Sequence, residues 1–251
     1  MINLVPITEP NVQLVFPDSF HREVQKLAAA YKVCYSSDSA AQVVADTMFS
    51  EGNLEYLMER MKTEHTSPLE HVSFSFANSD VSRNFSHQFV RTRVGFSVSQ
   101  QSQRYVSPLE SGEFRYILPH GLEGTQKMIF VESVGDAVDA YERAAKSGMP
   151  MEDARAILPS CAATSMMITI NYAALLHMAD NRLCTLAQRE YRMVVSGMRS
   201  QIMQSLPALG ELIQPKCGVH RQGFCDESVK DWEACPLGKG VRPHKLVETG
   251  A

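Results

Sequence analysis

Five arginines stand out by their surroundings. Arg91, Arg93 and Arg104 flank a Ser/Gln-rich stretch, VGFSVSQQSQRY, while Arg155 and Arg182 each sit in weakly charged, apolar sequence. A guanidinium in such a place needs an anionic or planar partner. Phosphate meets that need through paired hydrogen bonds. A nearby carboxylate, or a stem that carries the charge out to water, would serve any one of them as well. Taken together with Gln88, Ser102 and Gln103, they point to an anion pocket. Gln88 and Arg91 are three apart on an expected helix and so share a face. His65, Ser67 and Glu70 lie in EHTSPLEHV, at an expected turn before a strand. A histidine there is either structural or, with Glu70, a partner for the polar edges of a ligand. No Gly-rich phosphate loop, HExxH or GxSxG is present, and no Ser/His/Asp or Cys/His nucleophile can be assigned by spacing.

The elements that must position these residues follow from periodicity. Residues 20–33 place Val24, Leu27, Ala28 and Tyr31 at helical spacing, and 53–62 read as another helix. HVSFSF alternates, with Val72, Phe74 and Phe76 on one face, which predicts a half-buried strand. Residues 82–92 read as a helix with Phe85 and Phe89 four apart, and FRYILP as a second strand stopped by Pro119. A helix over 132–147 stops at Gly148 and Pro150, and MEDARAIL is a short helix. SMMITI is a strand, Asn171 an N-cap for a helix to about 181, and a long amphipathic helix runs from about 184 to 206. Strands and helices do not alternate regularly, so the fold class is α+β rather than doubly wound.

Composition sets the outer bounds. The chain has 251 residues and 28.0 kDa, with 44% apolar and 21% charged residues, enough for a sizeable core. Its formal charge of −4, from 24 Lys+Arg against 28 Asp+Glu, gives no basic footprint for nucleic acid. Six cysteines do not make a disulfide scaffold. Residues 156–179 carry no Asp, Glu, Lys or Arg, but Pro159, Ser160, Thr164, Ser165, Thr169, Asn171 and His177 interrupt them. Unpaired polar groups are costly in lipid, so a buried strand followed by a buried helix is expected instead of a membrane span. The first ten residues lack a basic start and a long apolar run, so a cytoplasmic location is expected.

From Pro215 onward the composition turns to Gly, Pro, Cys and charge, which divides the chain into 1–213 and a loop-rich tail, 214–251. Cys217, His220, Cys225 and Cys235 give C-x2-H-x4-C-x9-C, four soft ligands that could hold a structural zinc ion. Free or partly buried thiols are the other reading.

EHTSPLEHVSFSF followed by SHQFVRTRVGFSVSQQSQRYV resembles the flavin-dependent thymidylate synthase family, with its His-x-Ser/Thr-Pro-x-Glu-His segment and its Arg-His-Arg, seven residues, Ser signature. The resemblance extends to LAAAYKVCYSS, ARAILP and NYAALLHMADNRLCTLAQREYR, and so covers roughly 25–210 in order. Three positions depart from the pattern. Thr92 replaces the signature's central histidine, eight residues separate Arg93 from Ser102, and Ala173 stands where many relatives carry an arginine near the flavin.

The resemblance implies a mixed or antiparallel sheet with flanking helices, in a homotetramer whose sites are shared between subunits. It implies conversion of dUMP to dTMP with carbon from 5,10-methylenetetrahydrofolate. The reducing hydride comes through FAD, which NADPH re-reduces, and no enzyme nucleophile is used. Gln88, Arg91, Gln100, Ser102, Arg104 and Arg155 would hold dUMP, and Arg182 would face the uracil edge as the catalytic cation. His65, Ser67, Glu70, Arg91, Arg93, Asn171 and His177 would line the FAD site, with backbone groups of Val94 and Gly95 at its phosphates. Two alternatives stay open: hydroxymethylation of a pyrimidine nucleotide on the same scaffold, and a catalytically silent flavin- or nucleotide-binding protein.

Overall fold

The computed structural model describes residues 2–17, 20–61, 65–228, 233–236 and 242–243. In chain order the strands are β1 (Asn3–Ile7), β2 (Asn11–Val15), β3 (Ser73–Ser82), β4 (Phe96–Gln100), β5 (Glu113–Ile117), β6 (Ala163–Asn171), β7 (Phe224–Cys225) and β8 (Arg242–Pro243). The helices are α1 (Phe20–Val33), α2 (Ala40–Met48), α3 (Asn53–Arg60), α4 (Arg83–Phe89), α5 (Gly124–Lys146), α6 (Met151–Ala154), α7 (Tyr172–Arg182), α8 (Arg189–Ser205) and α9 (Pro207–Leu212). Tight 3-10 turns cover Ser67–His71 and Arg155–Ile157. The strands β2, β3, β6 and β4 are hydrogen-bonded in that order, β1 pairs β5, and β7 pairs β8. The class is α+β, with mixed sheets and flanking helices.

The chain forms two compact units that interleave in sequence: residues 1–12, 77–91 and 98–167 make one, and 13–76, 92–97 and 168–251 the other. In the first, β1 and β5 run parallel, with Asn3 opposite Glu113 and Ile7 opposite Ile117. Tyr116 adds an antiparallel bridge to Ala162. Alternation along β5 buries Phe114 and Tyr116 and exposes Arg115. The two aromatics pack with Val134 and Val138 of α5 and with Ala162. Burial of each such side chain contributes about 1.5–3 kcal/mol. Along β3 the alternation slips at Asp80, where φ is 60°, so that Val81 and Ser82 are both buried.

In the second unit, Val24, Leu27, Ala28 and Tyr31 of α1 are buried as their spacing predicts. Phe74 meets Tyr172 edge-on at 5.8 Å, and the Tyr172 hydroxyl donates to the Leu209 carbonyl at 2.6 Å. Tyr191, Val194, Val195, Met198 and Ile202 form the buried stripe of α8.

Several elements differ from the sequence expectation. β1, β2, β4, α2 and α9 were not foreseen, and α5 begins eight residues before 132, in turns that expose Met128 and Ile129. A helix face that buries little carries no apolar periodicity to read. The long helix begins at Arg189, not 184. Residues 184–188 are held as a turn by Ala187 N–H to the Cys184 carbonyl, and Arg192 Nη1 bonds the Thr185 and Ala187 carbonyls. The uncharged stretch 156–179 resolves into a turn, β6 and most of α7. Among the described residues no helix is long and apolar enough to cross a membrane.

Candidate active site

In the first unit Arg104 and Arg155 meet at α6. The Ser82 hydroxyl caps α4 by accepting from Phe85 N–H at 2.9 Å, and Phe85 and Phe89 anchor the helix in the core. That leaves Gln88 half-buried, and just past the helix Arg91 N–H bonds the Gln88 carbonyl at 3.3 Å. Gln100, at the end of β4, reaches the buried Thr164 hydroxyl at 3.3 Å. The chain then turns at Ser102, whose hydroxyl accepts from Arg104 N–H at 3.2 Å and whose carbonyl accepts from Tyr105 and Val106. Arg104 pairs with the Glu152 carboxylate at 2.6 Å, and Arg155 Nε donates to the Glu152 carbonyl at 3.1 Å. One residue of α6 therefore brings Ser102, Arg104 and Arg155 to one place.

Sequence reasoning missed Arg83 in this group. Its guanidinium is pushed below its ordinary range by burial and by the charge of Arg155. Two half-buried cations close enough to feel each other's charge attract an anion. Nothing in the spacing of 83 and 155 signals this, because α4 meets the 158–162 segment across the fold, with Arg83 N–H on the Ala162 carbonyl and Asn84 N–H on the Ser160 carbonyl.

A separate cavity of about 390 Å³ in this unit is lined by Asp80, Gln101, Gln103, Glu113, Arg115 and Thr164, among others. Gln101 and Gln103, next to Gln100, Ser102 and Arg104 in the chain, face this cavity. Arg115 is committed there to Asp80, at 2.7 Å.

The second unit holds the residues expected at the flavin, apart from Arg91. His65 is fixed on every side. Tyr35 hydroxyl meets its Nδ1 at 2.9 Å, Ser67 hydroxyl meets its Nε2 at 3.1 Å, and the Tyr31 hydroxyl donates to its carbonyl at 2.9 Å. Both tyrosine rings stand edge-on to the imidazole at 5.7 Å. Burial pushes the Tyr31 hydroxyl up to about 12. Pro68 and Leu69 are the buried side of this turn, and Glu70 is exposed. Tyr31 and Tyr35 were not foreseen here, since they come from α1 and the turn after it.

The loop over 92–97 is pinned to the start of α7. Asn171 N–H donates to the Gly95 carbonyl at 2.8 Å, and the Asn171 side chain accepts from Ala174 N–H at 2.8 Å as the helix N-cap. Gly95 has φ 65°, and a Cβ there would lie 2.4 Å from Asn171 Nδ2. Arg93 and Val94 stand exposed on this loop, and His177 is exposed on α7. An exposed cation, exposed backbone and a fixed imidazole suit the phosphates and polar ring edge of a flavin nucleotide. Arg182 closes α7 with its guanidinium 4.4 Å above the Tyr191 ring. The substrate-side candidates other than Arg182 thus fall in the first unit, and Arg182 and the flavin-side candidates other than Arg91 in the second.

In the tail, Cys217, Cys225 and Cys235 are free and half-buried. Cys235 Sγ accepts from the Thr185 hydroxyl at 3.2 Å. His220 is exposed and lines a cavity of about 660 Å³ with Thr66, Leu176, Asp180, Lys216 and Arg221. The set Cys217, His220, Cys225, Cys235 is not assembled: among the described residues no three His, Cys, Asp or Glu side chains are placed to share a metal ion.

The sequence profile described as thymidylate synthase complementing protein matches residues 18–208. A protein of Nitratidesulfovibrio vulgaris named flavin-dependent thymidylate synthase is 34% identical over 237 residues, covering 89% of this chain and 94% of that one. This chain belongs to the flavin-dependent thymidylate synthase family. A second family member, from Clostridium tetani, is 34% identical over 238 residues, covering 88% and 90% of the two chains. The family's fold extends to a UMP/dUMP methylase, PolB of Streptomyces cacaoi, solved with 5-Br dUMP. It superposes with a TM-score of 0.67 at 21% identity over 84% of this chain and 96% of that one. Thus the α+β fold and the family, both expected from the signature segments, hold.

Proposed function

We propose that this protein converts dUMP to dTMP, taking the carbon from 5,10-methylenetetrahydrofolate and the reducing equivalents from NADPH through FAD. The carrying observation is the meeting of Arg104 and Arg155 on Glu152, with the Ser102 hydroxyl bonded to Arg104 N–H and Arg83 close enough to Arg155 to feel its charge. A dianionic phosphate entering there displaces Glu152 from Arg104 and relieves the repulsion between Arg83 and Arg155. Gln88, Arg91 and Gln100 complete the nucleotide set. This concentrates positive charge locally in a chain of net charge −4.

His65, Ser67, Glu70, Arg91, Arg93, Asn171 and His177, with the backbone of Val94 and Gly95, would hold FAD. When bound, the flavin supplies the hydride that turns the transferred methylene into a methyl group, while tetrahydrofolate leaves. The protein's own part is to bind, orient and polarise. Arg182 is the catalytic cation, stabilising the negative charge that develops on the uracil ring. No side-chain nucleophile is needed. We further take the molecule to be a cytoplasmic homotetramer with shared sites, residues 1–213 being the catalytic domain and 214–251 an appended tail. Cys217, His220, Cys225 and Cys235 would be the ligands of a structural zinc ion in that tail, which would have to draw together side chains that stand apart among the described residues. Equimolar zinc in the purified chain is expected, and metal-free protein removes that part.

The deciding experiment is anaerobic. Protein with photoreduced FAD is mixed with dUMP and methylenetetrahydrofolate, and the product is weighed by mass spectrometry. Flavin reoxidation that needs both substrates, with dTMP as product, is expected. A hydroxymethyl product transfers the assignment to pyrimidine hydroxymethylation. Flavin that never reoxidises leaves a silent binding protein.

A further inference from the structure

Arg182 sits in an unusual environment for a guanidinium. It is half-buried at the end of α7, and among the described residues it forms no ion pair with a carboxylate. What it has instead is the face of Tyr191, 4.4 Å from the guanidinium carbon to the ring centroid. Tyr191 is only 1% exposed, fixed in the buried stripe of α8. The side chains of Thr92 and Arg182 lie within hydrogen-bonding reach of its hydroxyl. Thr92 is the residue that stands in place of the signature's histidine, so the departure has a structural partner.

The chemistry separates a stack from an ion pair. A carboxylate on Arg182 would neutralise its charge and occupy its N–H fork. An aromatic face holds the cation by its quadrupole and leaves free the in-plane donors that do not turn to the ring's own hydroxyl. The C-terminal end of α7 adds a favourable dipole without taking a donor. We propose that Tyr191 is a positioning residue for Arg182: its ring carries the guanidinium with its charge intact and most of its donors free, and Thr92 fixes the ring through its hydroxyl. This rests on the reading of Arg182 as the cation facing the uracil edge. It makes Thr92 and Tyr191 a pair that links the loop over 92–97 to the catalytic arginine.

The test measures single-turnover reoxidation of reduced flavin, dUMP affinity by flavin difference absorbance, FAD content and melting temperature. The variants are Tyr191→Leu, Tyr191→Phe, Thr92→Val and Arg182→Ala. Loss of the ring in Tyr191→Leu is expected to slow turnover about tenfold or more. FAD content and dUMP affinity should stay within about twofold. Tyr191→Phe keeps the ring and loses its anchor, so it should fall between wild type and Leu, as should Thr92→Val. This ordering, with the loss in rate and not in binding, is what a packing role would not produce. Should Tyr191→Leu fail to fold, the Phe and Thr92→Val variants still read the anchor, and an unchanged rate in both overturns the proposal. A Phe variant as slow as Leu, or losses confined to binding, also overturns it. Arg182→Ala separates the two levels. If it is slow while Tyr191→Leu is not, only the positioning fails. If Arg182→Ala itself turns over normally, the role given to Arg182 fails and this inference falls with it.

Discussion

Asn171 gives its backbone N–H to the Gly95 carbonyl at 2.8 Å and its side chain to the first turn of α7. One residue thus ties the loop of the Arg-x-Arg signature to a helix start. The contact tolerates no side chain at 95, because a Cβ there would lie 2.4–2.6 Å from the Asn171 amide and φ is 65°. Gly95→Ala must therefore either displace the cap, worth about 1 kcal/mol, or strain the loop by about 1–3 kcal/mol. We expect a melting temperature lowered by several degrees and FAD affinity reduced about tenfold or more, read by flavin fluorescence. Wild-type flavin affinity in Gly95→Ala would remove this loop from the cofactor site.

Arg104 and Glu152 are both about half exposed, at 47% and 52% of their side chains, so their 2.6 Å ion pair contributes little stability. Glu152→Gln should leave the melting temperature unchanged and dUMP affinity equal or somewhat tighter, since the phosphate no longer competes with a carboxylate. Arg104→Ala and Arg155→Ala should each weaken dUMP binding about 10–100-fold. Isothermal titration with dUMP checks all three, and weaker binding in Glu152→Gln would show that the pair orders the site instead of guarding it.

The Tyr31 hydroxyl, donating to the His65 carbonyl, is pushed up to about 12 by burial first and by the hydroxyls of Tyr35 and Tyr56 next. Its folded value lies above the unfolded one near 10, so its contribution is intact below pH 10 and is lost as pH climbs through 12. The loss amounts to about 2 kcal/mol. Denaturant unfolding across pH 9–12 should steepen in this window. Tyr31→Phe should flatten that slope while lowering stability at pH 8 through the lost hydrogen bond. An equal slope in both proteins would place the titration elsewhere.

Arg221 grips Asp180 with two bonds, at 2.7 and 2.6 Å, and Lys216 N–H bonds the Asp180 carbonyl at 3.0 Å. These hold the start of the tail against α7. Asp180→Asn should cost about 1–3 kcal/mol and open the 214–225 segment to limited proteolysis. Cleavage no faster than in wild type would mean that the backbone bond suffices.

The sequence by itself determined the family, the α+β class and the elements whose apolar spacing is strong: α1, α4, the centre of β6, α7 with its Asn171 cap, and the α8 stripe. Each of these buries one face, and burial is what periodicity records. It also singled out Arg155 and Arg182, because a guanidinium in apolar sequence is conspicuous, and Arg104, because it flanks a Ser/Gln-rich stretch. Elements with little buried face, such as β4 and the first turns of α5, left no such record. Only the tertiary structure decided who meets whom. The meeting of Arg104 with Arg155 on Glu152, the enclosure of His65 by Tyr31 and Tyr35, and the support of Arg182 by Tyr191 and Thr92 all join residues on different elements. Such contacts are set by packing across the fold, and no spacing along the chain encodes them.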